Sequence, residues 1–148
     1  MSKVLMVVAA AALVVAAVAG GSPAKPQMNF QAKLDKKQEV PAPTGAPKQA
    51  AGTWSGSLSQ HKLKWVLTFR KLSGAADSAH IHMAPKGTAG DVIVALCGPC
   101  KNGQKGTATV DVATVDALLT GNAYVNVHTA ANPDGEIRGQ IKKAGAKP

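Results

Sequence analysis

Aromatic side chains are scarce in this chain. Two Trp, two Phe and one Tyr are spread over 148 residues, as Phe30, Trp54, Trp65, Phe69 and Tyr124. That is too few for an extended base-stacking surface, which argues against a single-strand nucleic-acid binder. Arginine is scarcer still, with only Arg70 and Arg138. Recognition of phosphates and base edges leans on guanidinium forks, so no nucleic-acid partner is expected despite a net charge of +9. Nearly all the positive charge is Lys, without a run of five or more basic residues. It reads as a solvated cationic surface, weakly attractive to anionic polymers or lipid. Glutamate is confined to Glu39 and Glu136, so paired-carboxylate chemistry is poorly supplied. No Ser/His/Asp order stands out for acyl transfer.

Long hydrophobic runs are also lacking, with one exception at the N-terminus. Lys3 is followed by fifteen apolar residues from Val4 to Val18, and Ala17-Val18-Ala19 forms an A-x-A cleavage site. This pattern predicts a signal peptide over residues 1–19. The run is shorter than the ~20 residues of a membrane-spanning helix, so no stable span is expected after cleavage. A periplasmic or secreted protein follows. Residues 20–27 are a Gly/Pro-rich flexible lead-in, residues 28–143 one domain, and residues 144–148 a tail.

Cysteine appears twice, as Cys97-Gly98-Pro99-Cys100. Two readings of this string compete. A redox centre needs a thiolate at a helix N-terminus, but the next residues, Lys101 to Gly106, include two Gly and an Asn that disfavour helix. The alternative is a structural disulfide between Cys97 and Cys100, suited to an oxidising compartment and modest in effect because its loop is short.

Period-two alternation dominates the rest. It predicts strands over Met28–Leu34, Thr53–Leu58, Lys62–Phe69, Ser78–Met83, Asp91–Leu96, Thr107–Val112, Asn122–Thr129 and Glu136–Ile141. Glu39 to Pro47 reads as a Pro-rich loop. A short helix is expected over Thr114–Leu119, capped by Thr114 and ended at Gly121. A turn is expected at Asn132-Pro133-Asp134-Gly135. About eight short strands and one helix predict an all-β, antiparallel Greek-key sandwich or barrel.

Histidine carries the chemistry. His80 and His82 stand at i and i+2 of one strand, so both rings leave the same face while Ile81 leaves the other. On another strand Val125 and Val127 share one face, and Tyr124, Asn126 and His128 share the opposite one. If Ile81 and the valines face the core, His80, His82 and His128 lie together outside it. Three neutral imidazoles suit copper, zinc or nickel, although H-x-H on a strand also arises by chance. His61, in a turn, is a weaker fourth candidate. Met83 points away from the imidazoles and suits packing better than coordination. Asp134 and Glu136 are candidates to orient a ligating ring.

Several stretches resemble the CHRD domain, named for its repeats in chordin and found singly in exported bacterial proteins. They are Phe30-Gln-Ala-Lys-Leu34 with Glu39-Val40-Pro41, Ala79-His80-Ile81-His82, Leu118-Leu119-Thr120-Gly121, and Ala123 to Thr129 continued by Asn132 to Gln140. The resemblance spans about residues 28–143 and implies an immunoglobulin-like or superoxide-dismutase-like sandwich; the Cys97–Cys100 pair has no place in its pattern. The order His80, His82, His128, Arg138 also resembles copper–zinc superoxide dismutases, where such an Arg guides the anion to copper. That implies an anion-guiding role for Arg138. The zinc loop and the metal-bridging His of that family are missing, so a full dismutase site is not implied.

Three functions compete. The leading one is a small exported module binding a transition metal through His80, His82 and His128, copper first and zinc second. The second is a copper-dependent redox enzyme acting on a small anion. The third is a metal-free interaction domain for envelope proteins or anionic glycans.

Overall fold

The structure is a computed structural model, and it describes residues 26–145. The expected signal peptide, residues 1–19, lies outside the described residues. Nine strands and one α-helix follow in the order β1 (Met28–Asp35), β2 (Ala51–Ser59), β3 (Lys62–Arg70), β4 (Ala76–Met83), β5 (Asp91–Cys97), β6 (Gln104–Thr109), α1 (Val112–Thr120), β7 (Ala123–Thr129), β8 (Asn132–Gln140) and β9 (Lys142–Lys143). The strand order is β5-β4-β7-β8-β1-β2-β3-β6, with the two-residue β9 added on β1. All pairings are antiparallel. The all-β antiparallel sandwich is therefore present, and it approaches a closed barrel.

Its two layers are joined weakly. β8 meets β1 through a single pair, Asp35 with Arg138, so β1-β2-β3-β6 and β5-β4-β7-β8 behave as two facing sheets. Alternation fills the space between them. Phe30, Ala32 and Leu34 of β1, and Leu63, Trp65 and Leu67 of β3, are buried from one side. Ile81, Val94, Leu96, Val125, Val127 and Ile137 are buried from the other. Burying each large aliphatic side chain contributes about 1.5–3 kcal/mol.

Three local expectations need correction. β6 starts at Gln104 and ends at Thr109, and Val112 is 71% exposed at the start of the helix instead of inward on a strand. The cap is Asp111, not Thr114: the Asp111 carboxylate accepts from the Thr114 backbone N–H at 2.8 Å, which starts the helix two residues early. Its end is at Gly121, left-handed with φ 77°. Finally, Asn132 to Gly135 is strand, not turn. Thr129 pairs with Asn132, so the chain reverses at Ala130-Ala131. Glu136 explains this. Its carboxylate accepts from the Ser73 backbone N–H (2.6 Å), Thr129 Oγ1 (2.6 Å), Asn132 Nδ2 (3.0 Å) and the Ser73 hydroxyl, which holds both arms of the hairpin and the Ser73 loop together.

Candidate metal centre

β4 and β7 are neighbours, and their register makes the site. Ser78 pairs with His128, His80 with Asn126, and His82 with Tyr124. Side chains directly across a sheet share a face, so His80, His82 and His128 emerge together, opposite Ile81, Val125 and Val127. One ring nitrogen from each lies within 4.8 Å of the other two. The ring centroids are 5.0 Å apart for His80–His128, 5.7 Å for His80–His82 and 6.2 Å for His82–His128.

Two of the rings are oriented by backbone carbonyls. His82 Nδ1–H donates to the Gly90 carbonyl at 2.8 Å, and His128 Nδ1–H donates to the Pro133 carbonyl at 2.8 Å. A neutral ring with Nδ1–H presents a lone pair at Nε2, so both rings keep Nε2 available as a donor atom. His128 Nε2 accepts from His80 Nδ1–H at 3.1 Å. His82 Nε2 is buried and has no partner. A buried acceptor without a partner is costly and rare, and this lone pair is free to meet a cation or a hydrogen-bond donor. Nitrogens bound at about 2.0–2.1 Å from one centre sit about 3.4–3.6 Å apart, so small ring rotations and a shift of the His80 proton to Nε2 convert the cluster into a ligand set. Metal-binding imidazoles normally donate their other ring N–H to a carbonyl or carboxylate in this way, which fixes the ring and its tautomer. The anchors are the Gly90 and Pro133 carbonyls, not the Asp134 and Glu136 carboxylates that the sequence suggested.

The electrostatics also favour neutral rings. Burial lowers the His80 pKa, helped by the neighbouring His128 and His82. Burial likewise lowers that of His82; His128 and Arg138 add to the effect, while the Gly90 bond and Asp91 oppose it. Neutral imidazole is the form that binds metal.

Arg138 is not at the surface. It is 1% exposed, and its guanidinium carbon lies 3.4 Å from the centroid of the Tyr124 ring. Nη2 donates to the Pro85 carbonyl at 3.3 Å, and Nη1 is buried without a partner. Tyr124 in turn stacks on His82, with centroids 4.8 Å apart and planes at 10°. β7 lies between β4 and β8, so His82 and Arg138 flank Tyr124 from its two sides. The Arg138 guanidinium thus does not open onto solvent. It touches the site through an aromatic ring.

Glu39 is a residue that sequence reasoning missed. It lies in the expected Pro-rich loop but is 5% exposed. Asn126 Nδ2 donates to Glu39 Oε2 at 3.1 Å, while Glu39 Oε1 and Asn126 Oδ1 are buried without partners. Gly135, at φ 131°, makes room for them: a Cβ there would lie 2.4 Å from Asn126 Nδ2 and 2.8 Å from Glu39 Oε1. The usable signal was its rarity, one of two Glu in the chain.

The other candidates fall elsewhere. His61 donates from Nδ1 to the Val110 carbonyl at 3.0 Å and is not in the cluster. Met83 is 37% exposed, so it does not fill the core. Cys97 and Cys100 form a disulfide with Cα atoms 5.2 Å apart. Cys100 N–H donates to the Ala76 carbonyl at 2.9 Å, and no helix begins there.

The chain is a small antiparallel sandwich with a histidine cluster on the side of β4 and β7 away from the core. The family model for the CHRD domain matches residues 30–141, and the chain belongs to the CHRD family. No curated protein and no solved structure matches the chain.

Proposed function

We propose that this CHRD-family chain is an exported binding module that holds a transition-metal ion, copper in first place and zinc in second, through His80, His82 and His128. One observation carries the reading: His82 has a buried, unpartnered Nε2 in a group where one ring nitrogen of each of His80, His82 and His128 lies within 4.8 Å of the other two. The ion would supply the electrophile that this lone pair lacks. Holding the ion, as in storage or delivery, is favoured over turnover. A dismutase-like reaction profits from a solvent-facing cation that draws in the anion, and Arg138 is 1% exposed beneath Tyr124. Export is supported by the sequence of residues 1–19 and by the Cys97–Cys100 disulfide, which suits a periplasmic or extracellular setting.

The test is thermal unfolding of the purified protein in chelator, then with Cu(II), Cu(I) or Zn(II), beside the His80→Ala/His82→Ala double variant. A ligand at 100 times its Kd that binds only the native state adds about 2.7 kcal/mol. A copper-dependent rise in Tm, absent from the double variant, is expected. An unchanged Tm with every metal refutes the reading.

A broad depression of about 680 Å³ on the other sheet, lined in part by Ser55, Ser57, Lys64, Lys105 and Thr107, favours a second reading. In it the lysines engage an anionic glycan or an envelope protein without metal, and binding weakens steeply with salt.

A further inference from the structure

The oxidation state that the centre prefers is decided by the charges around it. This step rests on the metal reading above. The three histidines are the whole group: among the described residues no carboxylate or thiolate joins them. Every ligand is therefore neutral, and the charge of the ion stays uncompensated. The buried charge stacked beside the group is positive. Arg138 is fully buried, stacks on Tyr124, and Tyr124 stacks on His82, which puts a cation two stacked contacts from a ligand ring. The nearby carboxylates do not offset it. Glu39 is buried against Asn126 with one oxygen unpartnered, and burial pushes its pKa up to about 8, which favours the uncharged carboxyl near neutral pH. Asp91 is exposed at the start of β5, and its charge is the smallest of the influences on His82.

Coordination number points the same way. Cu(II) favours tetragonal sites with additional N or O donors. Three donors, two of them fixed by the Gly90 and Pro133 carbonyls, suit a d¹⁰ ion of low coordination number. From this combination we infer that the centre is built for Cu(I) in preference to Cu(II), and that Arg138, acting through Tyr124, is the positioning residue that sets the preference. Across roughly 8–10 Å at an effective dielectric near 20, one extra unit of charge on the ion costs about tenfold in affinity or somewhat more.

The test compares two affinities of the same purified protein. Cu(I) is titrated anaerobically with ascorbate against bicinchoninate, and Cu(II) aerobically against nitrilotriacetate. Cu(I) is expected to bind at least about 100-fold more tightly, the Arg138 charge and the coordination number acting together. Arg138→Gln should narrow that ratio about tenfold, equal to about 59 mV for one electron, and Arg138→Lys should restore most of it. A folded Arg138→Gln protein with an unchanged ratio overturns the role of Arg138. If the variant does not fold, the ratio in the unsubstituted protein still decides: equal or tighter binding of Cu(II) overturns the inference. Tight Cu(II) binding would do so while leaving the metal reading intact. Failure to bind either ion overturns both.

Discussion

Replacing Glu39 by Gln is expected to stabilise the protein at neutral pH, which is unusual for a buried, hydrogen-bonded residue. The reason is the proton. Burial raises the Glu39 pKa from 4.5 to about 8, against the opposing influence of Arg138, the Val40 backbone and Asn126. An unfolded chain ionises this carboxyl near 4.5. Between the two values folding must place a proton on Glu39, so the native state binds more protons than the unfolded state. The sign follows: the contribution of Glu39 is fully present below 4.5, falls as pH rises, and is lost once pH has passed through about 8. The slope is about −1.4 kcal/mol per pH unit. Over the whole window it amounts to about 5 kcal/mol as an upper bound, and any water reaching the unpartnered Oε1 reduces it.

Glu39→Gln removes the titration while keeping the shape. Its amide also supplies a donor where Asn126 Oδ1 has none. The stability difference between variant and parent should therefore grow with pH by about 1.4 kcal/mol per unit between pH 5 and 7.5, and level off above about 8. Urea unfolding at pH 5, 6, 7 and 8 measures this, with the buried Trp54 and Trp65 as fluorescence reporters. His80 and His82 titrate equally in both proteins and cancel in the difference. Two parallel stability curves, whatever their offset, would refute the buried neutral carboxyl.

Other perturbations test the frame around the site. Glu136→Ala strips the acceptor from Ser73, Thr129 and Asn132 and should cost about 3 kcal/mol or more; a urea midpoint shift worth under about 1 kcal/mol would contradict its role as the hairpin anchor. In the parent, burial opposes ionisation of Glu136, but the hydrogen bonds from Ser73, Thr129 and Asn132 outweigh it and hold the carboxyl below its ordinary value. That stability is present above pH 4.5 and is lost as acid titrates the folded carboxylate, so Glu136→Gln should flatten the acid limb of unfolding. Gly135→Ala meets both a φ of 131° and a Cβ 2.4 Å from Asn126 Nδ2, and a loss of about 1–3 kcal/mol is expected from backbone strain alone. Cys97→Ser opens a disulfide of sequence separation 3; a loop that short contributes only about 2 kcal/mol, so a loss of Tm large enough to prevent folding would be inconsistent with it.

How much of this was legible in the sequence depends on the range of the information. Alternation is local, so the faces of β1, β3, β4 and β7 could be read from Phe30, Leu63, Ile81 and Val125 without a structure. The start of α1 could not be read as easily, because Val110 and Val112 continue a strand-like alternation past the Asp111 cap. The shared face of His80 and His82 is also local. Their meeting with His128 is not, since it needs β4 to lie beside β7. Glu39 and Asn126 are 87 residues apart, and nothing in the loop sequence brings them together.

The deeper failure concerns polarity. The polar side of a strand is ordinarily the solvent side, and Tyr124, Asn126, Glu136 and Arg138 all belong to such polar sides by alternation. All four are buried, because that face carries a second cover. The segment through Glu39 bonds to Asn126, the loop at Pro85 takes Arg138, and Gly90 holds His82 and Tyr124. Buried polar groups are expensive unless fully paired, yet Glu39 Oε1, His82 Nε2, Asn126 Oδ1 and Arg138 Nη1 all lack partners. Four unmet atoms around one short stretch of β7 are difficult to explain as scaffold, since an apolar face would have stabilised the sandwich more cheaply. Exceptions to satisfied burial concentrate where a fold gives up stability for chemistry. The face that carries His80, His82 and His128 is therefore the face on which the chemistry of this domain has to be sought, and its burial is what strand alternation alone does not reveal.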